Sequence, residues 1–289
     1  MDLAMLRHGF NYSQDGQGNR MVIHLQGCNL HCPWCSNPEG ISLQGTIMES
    51  NLPIPSHICP FGGVDKGRLN RAICSTCQDR PCLTHPDSVG VKLSCHRVTL
   101  EALLAECEQA RPLYFDKGGV TLSGGEPTLQ FDAVKALLQG LHHLAINTAM
   151  ETNGFHPLLS ELFTTVDQLI IDCKHTDAAK HSSVTGDTNQ RTLQNLALAF
   201  AQHPNLLVRT PLVHGFNDDD AALEGFLDFY RHQDTRHANF EFLRYHELGV
   251  IKWKQCGMDY TMHNADVPEE TRLKFEGAFR ANGYKVVRT

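Results

Sequence analysis

The chain has 289 residues, 41% of them hydrophobic and 20% charged, with a formal net charge of −7. That length buries one large core or two small ones, and the negative balance offers no global basic field to nucleic acid or to an anionic membrane. No run approaches ~20 apolar residues and the N-terminus has no apolar signal core, so a cytoplasmic protein with neither membrane nor nucleic-acid partners is expected.

In chain order, the first expected strand covers residues 21–25. It runs straight into LQGCNLHCPWCSNPEG, which sets Cys28, Cys32 and Cys35 within eight residues. Residues 41–95 have weak periodicity and carry Cys59, Cys74, Cys77, Cys82 and Cys95. A long stretch without regular structure inside a compact domain needs something else to order it, and metal ligation would do so. From Gly119 onward, strands expected at 120–123, 145–150, 168–172, 206–211 and 239–243 alternate with helices expected at 131–141, 157–164, 192–202 and 219–230. A last helix at 268–282 precedes a short strand at 284–287. Strand and helix in alternation imply a parallel α/β sheet, and six core strands imply a partial barrel or an open doubly wound sheet. Residues 1–40 and 96–289 then form the core domain. Residues 41–95 form a cysteine-rich insertion between its first and second core strands.

The distinctive polar residues fall at the ends of these strands. The cysteine triplet follows the first, SGGEP (residues 123–127) ends the second, ETNG (151–154) the third and DCK (172–174) the fourth. Arg209 lies late in the fifth, and YHELG (245–249) follows the sixth. In parallel α/β folds the C-terminal strand ends form one rim, where sites are built. Six clusters in corresponding positions predict one site lined from every strand.

Eight of the 11 cysteines lie before residue 96. Nothing suggests the oxidising compartment that a disulfide framework needs, so metal binding or redox chemistry is expected. A structural zinc site is closed by four ligands, whereas a catalytic metal keeps one position open. Thiolates at Cys28, Cys32 and Cys35 suit three irons of a 4Fe–4S cluster, leaving the fourth iron for a substrate or cofactor. The alternative from spacing alone is a zinc ion completed by His24 or His31.

CNLHCPWC, with Trp34 before its last cysteine, resembles the CxxxCxxC signature of the radical S-adenosylmethionine (SAM) superfamily, and SGGEP resembles that superfamily's GGEP motif. DGQGNR (15–20), VTLSGGEPTLQ, ETNGF, IIDCKH, VRTPLV followed by GFNDDD, and FLRYHELGVIKW narrow the resemblance to the activating enzymes of glycyl-radical enzymes. It covers nearly the whole chain outside the insertion. It implies a partial (β/α)6 radical SAM barrel whose cluster reductively cleaves SAM, and a 5′-deoxyadenosyl radical that takes a hydrogen from a glycine Cα of a partner enzyme. It also implies that Cys28, Cys32 and Cys35 ligate the cluster, and that Trp34 and the loop Ser123, Gly124, Gly125 and Glu126 meet SAM. Thr152, Asp172, Lys174, Arg209 and His246 match further SAM contacts, with Lys174 or Arg209 facing the methionine carboxylate. Glu151, Thr152 and Asp172 match a monovalent-cation site, and a flavodoxin or ferredoxin-type protein would supply electrons. A radical SAM enzyme acting on a small molecule is the alternative, and a metal-binding or electron-transfer module with a decayed SAM site is a third reading. Relatives carry ferredoxin-like inserts with eight cysteines. The five here, Cys59, Cys74, Cys77, Cys82 and Cys95, leave open one second cluster, one zinc ion or no metal.

Other motifs carry less. DGQGNR lacks the third Gly of a dinucleotide fingerprint, and it has Gln17 where the family pattern has Pro. NDDD (217–220) suits a helix N-cap. HELG lacks the second His of a zinc motif. His142 and His143 suit a solvated helix end, and Cys107, Cys173 and Cys256 suit packing roles.

Overall fold

The computed structural model describes residues 1–115 and 117–289. It opens with a strand, β1 (Asp2–Tyr12), that the sequence pattern does not announce. Its polar members His8, Gly9 and Asn11 interrupt the apolar run, yet it forms an antiparallel hairpin with β2 (Asn19–Leu25). The turn between them contains Gly16 and Gly18 at φ of +119° and +75°, values that favour glycine.

The insertion follows. It holds β3 (Ile47–Glu49), β4 (Val64–Asp65), β5 (Arg68–Leu69), the one-turn helix α1 (Arg71–Cys74) and β6 (Val91–Leu93). β3 pairs with β6 and β4 with β5, all antiparallel and apart from the main sheet. Strands of two or three residues are too short to leave a periodic signal. Around them Ile47, Ile54, Ile58, Val64, Leu69 and Cys82 form a separate small core.

The chain then returns through β7 (His96–Thr99), which pairs with the first residues of β1, and α2 (Leu100–Gln109). Strands β8 (Gly119–Gly124), β9 (Thr148–Thr152), β10 (Gln168–Asp172), β11 (Leu206–Leu212) and β12 (Ala238–Arg244) complete a sheet of order β12-β11-β10-β9-β8-β2-β1-β7. From β2 to β12 every pairing is parallel. The six parallel strands are the six expected from sequence, in chain order, and the antiparallel β1 and β7 extend the sheet at one side.

Helices α3 (Phe131–His143), α4 (Ala178–Thr185), α5 (Gln190–Gln202), α6 (Asp220–Arg231) and α8 (Glu269–Ala281) cover the outer face, while α7 (Val250–Cys256) packs on the cysteine loop and on β3. Their stripes show why. In α3, Val134, Leu137, Leu138 and Leu141 recur at helical spacing and are buried, as are Leu223, Phe226, Leu227 and Tyr230 in α6. Each such side chain is worth about 1.5–3 kcal/mol on burial. Asp219 caps α6 by accepting from Ala222 N, so NDDD is a helix start. Residues 157–164 form only a 3-10 turn at Leu159–Leu162. The β9–β10 crossover is short, and Gly154 and Pro157 lie at its start. Ala145 adopts φ of +51°, so β9 begins at Thr148 and not at 145. At 284–287 the tail makes one bridge, Val286 to Phe240, in place of a full strand.

Alternation along each strand separates two interiors. Met21, Ile23 and Leu25 of β2 pack under the helices, while Arg20, Val22 and His24 point to the other face. No helix among the described residues is long and apolar enough to cross a membrane.

Candidate active site

The C-terminal strand ends surround one cavity. Cys28, Cys32, Trp34 and Cys35 line it from the loop after β2, and Ser123, Gly124 and Gly125 from the end of β8. Thr152, Asp172, Lys174, Arg209 and His246 line it from the remaining strands. The cysteine loop is tied down by its backbone: Cys28 N donates to Ile41 O at 2.9 Å, and Cys35 N to Cys32 O at 3.0 Å. Asn37 N donates to Cys35 Sγ at 3.4 Å. Burial raises all three thiols above their ordinary range, Cys32 to about 12. They are therefore neutral thiols until a metal displaces their protons.

Among the described residues no three cysteine sulfurs lie within 4.8 Å of one another, and neither His24 nor His31 forms so tight a group with the triplet. A tetrahedral zinc ion with Zn–S near 2.3 Å holds its sulfurs about 3.8 Å apart. The three thiols open on one cavity with a wider spread, which fits a cluster and not a single zinc ion.

SGGEP is placed by backbone contact. A Cβ on Gly124 would lie 2.4 Å from Leu25 N, and one on Gly125 would lie 2.1 Å from Gly27 O. Gly124 also takes φ of +117°. Only glycine lets this loop lie against the cysteine loop, where Gly125 N donates to Leu25 O and Glu126 N to Gly27 O. Glu126 does not line the cavity and instead orients the loop. It is fully buried and accepts from Thr128 N, Thr128 Oγ1, Thr152 Oγ1 and Asn153 N at 2.5–3.0 Å. It binds SGGEP to ETNG from behind. Burial pushes its carboxyl up and these donors pull it back.

The charged residues form two groups, one around Arg209 and one around Lys174. Arg209 donates from Nη1 to Glu151 Oε1 at 2.6 Å and from Nε to Glu241 Oε2 at 2.9 Å. Ser123 Oγ donates to the other Glu151 oxygen at 2.6 Å. Lys174 Nζ donates to Asp172 Oδ2 at 2.6 Å. Burial opposes the charge on Arg209 and Lys174, yet the surrounding carboxylates hold both above their usual range. Burial pushes Glu151 up against the pull of Arg209. Of the two cations expected to meet a carboxylate, Arg209 is already held by two acids. Lys174 keeps free donor capacity. Glu151 and Asp172, expected in a cation site with Thr152, are each engaged by a protein cation.

Several cavity residues escaped the sequence reading. Asn153, inside the ETNG motif, donates to Asn29 Oδ1 at 2.8 Å and ties that motif to the cysteine loop. Tyr245 lines the cavity and pairs with Tyr260 at 2.6 Å, and Trp34 packs on Phe216 with ring centroids 5.0 Å apart. No local pattern marks Phe216 or Tyr260, which reach the site through tertiary packing.

In the insertion, burial first and then the neighbouring thiols raise Cys74 and Cys82, which respond to each other and to Cys59 and Cys77. Cys95 stands apart from these four. Its neighbours are Arg97, Arg80 and the carbonyls of Leu43 and His96. These neighbours differ from those of Cys74 and Cys82, which face other thiols.

Comparison with known proteins agrees with this geometry. The family model of the radical SAM superfamily matches residues 22–227, and the chain belongs to that superfamily. The choline trimethylamine-lyase activating enzyme of Oleidesulfovibrio alaskensis is 34% identical, with 85% of this chain and 84% of that protein covered. The indoleacetate decarboxylase activating enzyme of Tractidigestivibacter scatoligenes is 28% identical, with 95% and 93% covered. Within the superfamily the chain falls among the activating enzymes of glycyl-radical enzymes. In fold it is similar to a radical SAM methyltransferase from Sphaerobacter thermophilus, with a TM-score of 0.56 at 14% identity over 96% of this chain and 67% of that one. The family implies a 4Fe–4S cluster, SAM and a glycyl-radical enzyme as protein partner.

Proposed function

We propose that Cys28, Cys32 and Cys35 hold the SAM-cleaving cluster and that the cavity beside them orients SAM toward a glycine of the partner enzyme. The observation that carries this is three thiols opening on the same cavity as Ser123, Gly124, Gly125 and Lys174. When bound, the cluster supplies one electron to SAM, whose cleavage yields the radical that takes the glycine hydrogen. The peptide groups of Ser123–Gly125 receive the methionine ammonium and Lys174 the carboxylate. Trp34, braced by Phe216, walls the site against water. His246, exposed at the mouth, closes over SAM as the partner segment enters. Arg209 holds Glu151 and Glu241 in place and makes no direct contact with SAM. Arg209 and Lys174 each engage one carboxylate of the expected monovalent-cation site, and Glu241 leaves this group of charges one negative in excess.

Residues 41–95 form a distinct unit that holds a second 4Fe–4S cluster on Cys59, Cys74, Cys77 and Cys82. Cys59 precedes Pro60, as the last cysteine of a ferredoxin run precedes proline, and that cysteine serves the cluster of the other run. Electrons come from a flavodoxin or ferredoxin-type donor in the cytoplasm.

The test is anaerobic. Reconstituted protein, SAM and a strong reductant should yield 5′-deoxyadenosine, and Cys32→Ala should yield none. With a partner enzyme added, electron paramagnetic resonance (EPR) should show a glycyl radical with wild type alone. Equal 5′-deoxyadenosine from wild type and Cys32→Ala overturns the assignment.

A further inference from the structure

Helix α7 lies between the two thiol centres and touches both. At its start a Cβ on Gly249 would sit 2.6 Å from Cys35 O and 2.9 Å from Ser36 Cα, so the helix abuts the cysteine loop directly. Trp253 Nε1 donates to Cys35 O at 2.8 Å. Lys252 Nζ donates to Ser36 O at 2.8 Å and Asn37 Oδ1 at 2.7 Å. These bonds fix the peptide that presents Asn37 N to Cys35 Sγ.

At the other end α7 meets the insertion. Arg71, the first residue of the helix that ends in Cys74, donates from Nη2 to Gln255 O at 2.9 Å. The same guanidinium holds Ile47 O at 2.6 Å and Glu49 Oε1 at 2.9 Å in β3. Gly257 closes α7 at φ of +67°, and a Cβ there would lie 2.3 Å from Arg71 Nε. Both ends of one short helix are therefore glycines with no room for a side chain. One end is pressed on the triplet loop, the other on the arginine that starts the Cys74 helix.

Resting on the assignment of a cluster to the insertion, we propose that α7 is a rigid coupler. Loading of the insertion centre fixes α1 and Arg71, and α7 transmits that position to the Asn37 hydrogen bond on Cys35. Hydrogen bonds to ligand sulfurs tune the reduction potential of an iron–sulfur cluster. The insertion thus sets the potential of the SAM-cleaving cluster, with Arg71, Lys252 and Trp253 as positioning residues.

The test is an EPR-monitored redox titration of the anaerobically reconstituted holoenzyme, with the SAM-cleaving cluster identified by its response to SAM. Cys77→Ser, which empties the insertion centre, should shift that cluster's midpoint by roughly tenfold in its reduction equilibrium, or about 59 mV for one electron. Adding Cys77→Ser to Trp253→Phe, which keeps the ring and removes the N–H donor, should shift it by less than half as much. Arg71→Gln should blunt the shift in the same way, and Trp253→Phe carries the test where Arg71→Gln fails to fold. A full shift in both backgrounds means direct electrostatics between clusters, and the coupling is wrong. With about eight irons per chain in wild type, an unchanged midpoint in Cys77→Ser overturns the coupling alone. About four irons in wild type overturns the insertion assignment and the coupling with it.

Discussion

The barrel and the insertion hold cysteines in opposite ways. In the barrel, Cys28, Cys32 and Cys35 hang from a loop beside a continuous core that reaches from Leu3 to Phe279. That core is mostly aliphatic and aromatic, with Cys107 and Cys173 packed among them, and none of the three thiols of the triplet belongs to it. In the insertion, Cys82 is one of the six core residues, and Cys59 and Cys74 pack against them. A core that small stabilises little by itself. The triplet stands clear of the core beside it, whereas Cys59, Cys74 and Cys82 of the insertion are built into theirs. On the proposed assignment the barrel can fold and then load its cluster, while the insertion and its metal form together.

The largest effect should come from removing the insertion's metal. Binding energies of structural metals in small domains are on the order of 10 kcal/mol, so Cys77→Ser should leave residues 50–90 unfolded. Limited proteolysis should then cut that segment at least roughly tenfold faster, while the main thermal transition stays in place. Cys32→Ala should do the reverse, abolishing SAM cleavage without exposing the segment. Equal protease resistance of wild type and Cys77→Ser would break the contrast between the regions. Next in size is Arg209→Met. Glu241 is 2% exposed and Glu151 is mostly covered, so removing the guanidinium strands buried carboxylates. A loss of about 3–5 kcal/mol is expected in anaerobic urea melts, confined to the barrel. A loss below about 1 kcal/mol would show that water reaches these acids.

The two regions were also unequally legible. The six parallel strands and their polar ends stand out because an apolar run followed by SGGEP, ETNG or DCK has a period and a stop. The cysteine spacing marks the triplet directly. β1 is hidden by His8, Gly9 and Asn11, which face a cavity and not a core. α4 and α7 are too short and too polar to show a stripe. The Arg209–Glu241 pair could not be foreseen, since the two lie 32 residues apart in sequence and meet only because β11 and β12 pair in register. In the insertion the cysteines were visible, but the separation of Cys95 from the other four depends on the β3–β6 pairing, which three-residue strands do not announce.

The smallest effect concerns pH and again divides the regions. His24 faces the barrel interior, with Nδ1 buried and unpartnered. Burial, then Arg7 and Lys252, lower its pKa to about 4 from 6.5. Glu39, the acid nearest these cations, already pairs with both of them, and Asp15 lines the same cavity. Between pH 6.5 and 4 the unfolded chain binds a proton that the folded chain refuses, so stability is full above 6.5 and falls as pH drops through that window. By pH 5.5 the loss relative to pH 7.5 is about 1 kcal/mol. Buried His175, His181 and His203, lowered by the same cause, add to it. His24→Gln keeps a polar side chain and removes the titration. Its urea midpoint should fall less than that of wild type between pH 7.5 and 5.5, because the group that refuses the proton is gone. An identical slope in the two proteins would mean that His24 is hydrated, and that the barrel interior on the β1 side is open to water.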